Sequence, residues 1–568
     1  MADNLLDKAS ILLTPTAYDN GSMLSIKPTD GDGDFTFSRN SAATRVNAQG
    51  LVENVQVLSS DLVQNGSFSQ IGLEEITNGS FTNGSTDWTL NDWTVADGKA
   101  SLINGSSFIV QNSILEVGKT YKIQYTISDY VSGSIRWRAN GVNGSTNASN
   151  GVVTDFITVT STAFSIQGYN NFTGSITNIS AKEVGQDWTF GDGFTPDQAN
   201  SKATCDGTQS AATNLTQTIS TNIQNKLVRV SFTLDYTAGV LLGSLSGTGA
   251  VDFNNITSSG TYTAEMTSNE VNSPLILQGD ANFIGSITNI VIKEVTNDTD
   301  LPRINYENGC GSWLLEPQST NIYLNSETLS TQDNTTLAST YTVSFYGTGT
   351  ITFSGTYTGS LVGTSLTDRV SATFTATAGT LTSTVTGTVT KGQLENLNFA
   401  TSYIPTQGAS STRLQDLATN SGNSTLINST EGTLYVEIAR NSNEGSTGGI
   451  QINDGSDNNS LRLFFNQANT ISVITKVGGS NNVVKTAQGI TSSTAMNKFA
   501  LVYKLNDYKL YYNGNLLWSE TTASVYPVGT LNNLDFLNQT TPFEGEVKAV
   551  AVYKEALTDA ELTALTTI

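Results

Sequence analysis

NFTGSITNISAKEV, residues 171–184, returns as NFIGSITNIVIKEV, residues 282–295, with three of fourteen positions changed and a spacing of 111 residues. A solenoid repeats every ~20–50 residues, whereas one β-sandwich takes roughly 100, so this period describes a whole sandwich. The flanking segments agree. STDWTLND from Ser85 echoes GQDWTFGDGF from Gly185, and KTYKIQYTISDY (Lys119–Tyr130) holds the same place as KLVRVSFTLDY (Lys226–Tyr236). Both of the latter alternate apolar and polar residues, as does SIRWRANG after the first, which is the pattern of strands with one face buried and one in water. Two tandem sandwiches are expected, over 61–185 and 186–298. The opening QNGSF (Gln64–Phe68) recurs at once as TNGSF (Thr77–Phe81), which reads as a partial duplication.

Composition supports the same class along the whole chain. Only 13% of the 568 residues are charged, 51 are Gly, and Thr, Ser and Asn are abundant. Thr favours strands, while Gly, Asn and Ser serve the turns between them. Disordered chains also have few apolar residues but usually lack aromatics; 6 Trp, 22 Phe and 20 Tyr argue for packed cores. The expected fold class is all-β, with tandem β-sandwich (jelly-roll) domains behind a short N-terminal extended segment. The net charge of −22 repels phosphate backbones, so no nucleic acid is expected as a partner. No stretch approaches the roughly 18–20 apolar residues of a membrane span, and the N-terminus MADNLLDKAS lacks an export pattern. Assembly in a cytoplasm without membrane insertion is expected. Cys205 and Cys310 form no metal-binding or redox pattern, and no disulfide between them is expected.

Three blocks carry a further pattern. The first is RNSAATRVNAQGL, with Arg39, Ser41, Ala43, Thr44, Val46, Gly50 and Leu51; the second, LPRINYENGCGSWLLEPQSTNIYLNSE, spans Leu301–Glu327. In the second, the matching positions include Pro302, Arg303, Tyr306, Leu315, Glu316, Thr320, Asn321, Ser326 and Glu327. The third is KGQLENLNFATSYIPTQGASSTR (Lys391–Arg413), with Gln393, Glu395, Thr401–Thr406, Gly408, Thr412 and Arg413. Together they resemble a pattern of tailed-bacteriophage tail-fibre and virion-surface proteins. In that pattern the first block runs directly into the second, which makes about Gln56–Asp300 an insertion; Asn305 stands where the pattern has Asp. The inserted units resemble the galactose-binding-like jelly rolls that include carbohydrate-binding modules.

The rest of the chain is partitioned as 1–60, an N-terminal virion-docking segment; 299–420, a connector with a third, degenerate sandwich; and 421–568. In the last, strands such as GTLYVEIAR and SLRLFFNQ, a YNG hairpin at Tyr512–Gly514 and the helical ALTDAELTAL resemble a laminin-G or concanavalin-A-like jelly roll. Thr558 and Glu561 have capping-box spacing, and that helix is expected on the sandwich edge.

Histidine is absent, which removes His-based nucleophile systems and zinc sites. An enzyme would need a carboxylate pair, and none is picked out; the chain is read as a binding protein. Trp93 and Trp137 are candidates for sugar stacking or for core, with Arg136 and Arg138 on the other face of the Trp137 strand; Trp88 and Trp188, at matched repeat positions, read as core. DGDGD places Asp30, Asp32 and Asp34 at a spacing that can wrap calcium, with an exposed turn as the plainer reading, and NDGSDNN (Asn453–Asn459) is a similar case.

These readings imply a virion structural protein, a tail fibre or receptor-binding component attached to host cell-surface polysaccharide. It would contact other virion proteins and form a homo-oligomer, for which a trimer is fitting. A head fibre or capsid-decorating protein, a polysaccharide-active enzyme with accessory modules, and a bacterial adhesin are the alternatives.

Overall fold

A computed structural model describes residues 3–139, 142–245, 253–443 and 448–567. The fold is all-β, with several sandwiches in two units: Met1–Val57 together with Asn297–Ile568, and Leu58–Thr296 between them in sequence. Among the described residues no helix is long and apolar enough to cross a membrane.

In the first unit, the C-terminal sandwich packs two sheets around one core. One sheet orders its strands Ser312–Leu315, Gly545–Tyr553, Glu431–Arg440, Asn497–Lys504, Tyr508–Tyr512 and Asn515–Glu520; the other runs from Ser480–Gln488 through Thr470–Val477, Ser460–Gln467 and Gly449–Asn453 to Asn533–Asp535. The alternation in these strands puts Leu434, Val436, Ile450, Ile452, Leu461 and Leu463 inside, all essentially without solvent contact. Asn513 and Gly514 take φ of 44° and 85°, the left-handed pair that a tight hairpin turn needs. The helix Asp559–Thr566 has both halves of its capping box. It lies over a face of the first sheet rather than its edge, burying Leu562 with Tyr435, Ala500, Tyr511 and Tyr553. A second, unforeseen helix, Asp3–Lys8, precedes the first strand, and Lys8 pairs with Glu561 at 2.6 Å.

The N-terminal 1–60 is not the separate docking segment expected. Ile11–Leu13 pairs with Val550–Val552 of the C-terminal sandwich, and Phe35–Ser38 pairs with Leu417–Thr419. Ile11, Leu13, Met23, Phe35 and Phe37 are buried in the C-terminal core, because a segment with so many apolar residues is most stable filling that core. Ser312–Leu315 pairs with the other end of the same strand, at Gly545–Val547. The two halves of this unit thus share one sheet edge.

The middle sandwich faces a sheet of Gln332–Thr336, Gly379–Thr386, Thr350–Gly355 and Gly359–Val362 against one of Ser365–Ala376, Ser339–Gly347 and Val389–Glu395. The three motif blocks meet beside it. Arg39, Arg303 and Arg413 are each 1% exposed. Arg39 reaches Asp416 at 3.2 Å and the Ser41 carbonyl at 2.9 Å. Arg303 donates to Glu316 at 2.7 Å and to the other oxygen of Asp416. Arg413 donates to Glu316 and, at 2.8 Å, to the Ser402 hydroxyl. Around this knot the amide of Asn321 bonds Gly392 and Ile404, Glu395 takes Ser319 and Thr401, and Ser326 bonds Tyr403. Asn305 accepts from the Val46 amide at 2.9 Å, so the amide in place of the pattern's carboxylate ties the first block to the second.

In the second unit the boundary near residue 61 needs correction. Val63 and Phe68 of the first opening are buried in the second sandwich with Trp188, Val230 and Ile292, whereas Phe81 of the second opening is buried in the first with Trp88, Ile123 and Ile179. The residues after Leu58 therefore begin the second sandwich, the first is inserted over about 71–184, and the second resumes at Gly185. Each opening locks to its own copy of the repeated strand. Ile290 donates to the Gly66 carbonyl at 3.0 Å and Ile179 to the Gly79 carbonyl at 2.9 Å. A Cβ on either glycine would come within 2.0 Å or 1.9 Å of the Ile290 or Ile179 carbonyl oxygen, so that backbone approach requires glycine. The two NGSF openings are matching parts of two complete units, one nested in the other.

Burial alone would raise the Glu316 carboxyl, but Arg413, Arg303 and Ser402 lower it to about 2. Burial lowers Arg39 to about 10 against the pull of Asp416. With a folded value below the unfolded value of 4.5, Glu316 stabilises the fold above that pH and loses the contribution as pH falls towards 2. The shift corresponds to about 3 kcal/mol. Acid titration of unfolding should show this loss between those pH values. Glu316→Gln, which leaves the buried Arg413 without a carboxylate and Arg303 with Asp416 alone, should cost about 3–5 kcal/mol in denaturant unfolding at pH 7 and flatten the same acid limb; an unchanged limb would refute the assignment.

Candidate functional site

The C-terminal sandwich carries a polar cleft of about 370 Å³ at the end of its second sheet. Two paired strands make its floor, with Gln451 opposite Asp535 and Asn453 opposite Asn533. Ile450, Ile452 and Leu534 point into the core, so period-two alternation turns the four polar side chains outward together. The loop Gly455–Asp457 forms one wall; Thr419, Asn420, Leu537, Gln539 and Thr540 complete the lining.

Asp535, 4% exposed, organises this array. One carboxylate oxygen accepts from the Asn420 amide at 2.8 Å. The other accepts from Asn453 at 2.7 Å, Asn533 at 2.6 Å and Gln451 at 3.4 Å. The amide oxygens are oriented as well, Gln451 accepting from the Gln539 backbone at 3.0 Å and Asn453 from Gly455 at 2.7 Å. At the wall, Asp457 pairs with Lys476, accepts from Gln539 at 2.9 Å and lies 3.7 Å from Arg462. Burial would raise its carboxyl, but Lys476, Arg462 and Gln539 hold it below the usual range. The result is a fixed set of neutral amides backed by the carboxyl groups of Asp535 and Asp457. Such a set can exchange hydrogen bonds with a ligand that both donates and accepts, as vicinal hydroxyls do.

Other candidate residues are placed differently. Trp93 and Trp137 are 4% and 1% exposed and belong to the core of the nested sandwich, so neither ring is a stacking platform. Trp137 donates to Asp155 at 2.8 Å and Trp93 to the Ser107 carbonyl at 3.3 Å, which satisfies both indoles inside. Arg136 and Arg138 lie half-buried on the opposite face of that strand. Trp88 and Trp188 are core, packed on Phe81 and Phe68.

The Asp30–Asp34 loop is a turn with its oxygens in use. Asp34 accepts from the Ser25 amide and hydroxyl, Asp30 from the Asp32 amide, and Asp32 from Asn423 at 2.7 Å. Among the described residues no three His, Cys, Asp or Glu side chains gather as a metal site, so the calcium reading of this loop is not supported. In NDGSDNN, Asp454 closes its own turn through Ser456 and Asn459, while Asn453, Gly455, Ser456 and Asp457 line the cleft. Gln451, Asn533, Asp535 and Gln539 were not singled out from sequence. The alternation in GIQIN and NLD was the one signal for Gln451, Asn533 and Asp535. Both cysteines are free, Cys205 buried and Cys310 exposed.

Residues 411–563 match the concanavalin A-like lectin/glucanases superfamily, and this span contains every cleft residue. No curated protein matches the chain. Among solved structures, a carbohydrate-binding module of the Ruminococcus gnavus IT-sialidase, bound to α2,3-sialyllactose, is 19% identical over 26% of this chain and 93% of its own, with a TM-score of 0.23. Domain 4 of the Geobacillus stearothermophilus arabinanase AbnA, in complex with arabinotriose, is 14% identical over 30% and 84%, with a TM-score of 0.23. A heptameric SAP-like pentraxin from Limulus polyphemus is 13% identical over 24% and 70%, with a TM-score of 0.21.

Asp535→Ala should destabilise the C-terminal sandwich by about 2 kcal/mol or more, since it leaves several buried donors without an acceptor. Gln539→Ala, at an exposed position, should stay within about 0.5 kcal/mol. Denaturant melts of the two variants check the division between anchor and rim. Equal melts would mean that Asp535 does not organise the cleft.

Proposed function

We propose that this chain is a non-enzymatic, glycan-binding structural protein of a bacteriophage virion, a tail-fibre or receptor-binding component that attaches to host cell-surface polysaccharide. The observation that carries the glycan part is the cleft of oriented amides around Asp535, within the span that matches a superfamily of lectins and glucanases. For cleavage, one carboxyl would have to hold a proton near neutral pH, whereas Asp457 is held ionised by Lys476 and Arg462. The virion part rests on the three motif blocks, which converge on the buried arginine knot of one unit. Several copies on one particle, as a homo-oligomer among other virion proteins, would multiply a modest affinity per cleft.

On a glycan array, the full chain should bind a subset of neutral oligosaccharides through this cleft. Asn533→Ala and Gln539→Ala should each weaken that binding about tenfold, as expected for roughly 1.4 kcal/mol from one or two hydrogen bonds. Binding unaffected by both variants would remove the cleft from the reading. Antibody labelling of intact particles should place the chain at the tail, with purified protein blocking adsorption. Label over the head with normal adsorption would make it a capsid-decorating protein instead.

A further inference from the structure

The nested sandwich carries a second surface that the lectin-like cleft does not explain. Two residues apart on one strand, Arg136 and Arg138 share a face, about 7 Å from each other along the chain. Arg136 lies 4.6 Å from the centroid of Tyr169 and Arg138 lies 5.9 Å from that of Phe108. Tyr169 is 38% exposed and Phe108 37%, so each guanidinium covers only part of an accessible ring. Register joins them into one row: Arg136 is opposite Gln167, and Gln167 is opposite Phe108 on the next strand. The core faces of these strands carry Trp137, Ile166 and Ile109, so burying the tryptophan is what turns the arginines outward.

The charge at this face is unusual for the chain. With 27 basic and 49 acidic residues, cations here ordinarily find a carboxylate. Seven other arginines have a carboxylate oxygen within 3.9 Å. Among the described residues neither Arg136 nor Arg138 has one. Arg136 donates through Nε to Gln167 at 3.1 Å, which leaves its terminal nitrogens available, and Nε of Arg138 is buried without a partner. Burying part of a guanidinium and leaving it unpaired is costly unless an anion completes it.

We propose that this face binds an anionic saccharide, a uronate or sulfate-bearing sugar whose charged group is taken by Arg136 and Arg138 while its ring packs on Tyr169 and Phe108. The two terminal nitrogens of a guanidinium match two oxygens of a carboxylate or sulfate, and the exposed ring edges accept the apolar face of a pyranose. The saccharide nature of the partner rests on the proposed function; the site and its charge selectivity do not depend on the C-terminal cleft.

Calorimetric titration of the full chain with oligogalacturonate, chondroitin sulfate oligosaccharide and neutral dextran tests it. The expected result is binding of at least one of the two anionic sugars and not of dextran at this site, weakened at least tenfold by R136Q/R138Q and by raised salt. Asn533→Ala, in the other unit, should leave that binding unchanged. Arg136→Lys should retain part of the affinity, which separates lost charge from lost geometry. No binding of either anionic sugar at millimolar concentration, or binding undiminished in R136Q/R138Q, would overturn the proposal while leaving the cleft to be judged by its own neutral ligands. Equal binding of single-stranded DNA at this face would also overturn it, by showing that any polyanion suffices.

Discussion

Three guanidinium groups with almost no access to water must share their counter-charges without leaving one short, and that requirement fixes the geometry of the first unit. Arg39, Arg303 and Arg413 come from three separate blocks, and Glu316 and Asp416 bridge them. A buried ion pair is weak grounds for stability, because desolvation offsets much of the attraction. Its effect here is discrimination. A register in which any block shifted would leave a charge buried and unpaired, and removing one partner from such a set costs several kcal/mol. The apolar edge pairing of Ile11–Leu13 and Ser312–Leu315 along one strand can supply cohesion, while the knot specifies which segments cohere.

This constraint also accounts for how the chain tolerates so long an excursion between Val57 and Asn297. Closing a loop costs entropy that grows only logarithmically with its length, so a folded insertion adds little once its two ends are held. They are held closely. The Arg39 and Asn40 amides both donate to Asp300, at 2.7 Å and 2.8 Å, and Val46 donates to Asn305. Inside the inserted unit the same device recurs on a smaller scale, where the second sandwich's opening through Gly66 and its repeated strand through Ile290 bracket the complete first sandwich.

The strands and the repeat were legible because alternation and duplication are local properties of the sequence. The nesting was not, for a physical reason. Two near-identical openings followed by two near-identical closing strands allow either pairing, and only the packing of Phe68 on Trp188 and Phe81 on Trp88 decides between them. The same ambiguity affected the tryptophans. Alternation placed Trp137 and its flanking arginines on opposite faces, but it could not say which face met water. Burial of Trp137 at 1% exposure answers that, and transfers the candidate surface from the indole to Arg136 and Arg138. The cleft was least legible of all. Its amides come from stretches around residues 420, 451 and 533, and Asn and Gln are so common in the turns of this chain that those positions had no contrast.

The chemistry of that cleft also bears on how such a protein could work. A hydrogen bond to a sugar hydroxyl replaces one to water, so each is worth only about 0.5–1.5 kcal/mol net. What the fold can add is preorganisation. Asp535 holds three side-chain amides in place before any ligand arrives, so little rotamer entropy remains to be lost on binding. The lining of the cleft includes no aromatic ring and only one branched aliphatic side chain, Leu537, so apolar stacking contributes little there. Affinity at a single cleft is therefore limited, while selectivity among hydroxyl patterns can still be high because the donors and acceptors are fixed. Under the proposed function, a protein built on that balance would recognise a surface through many copies of a repeated sugar, with strength set by how many clefts engage at once.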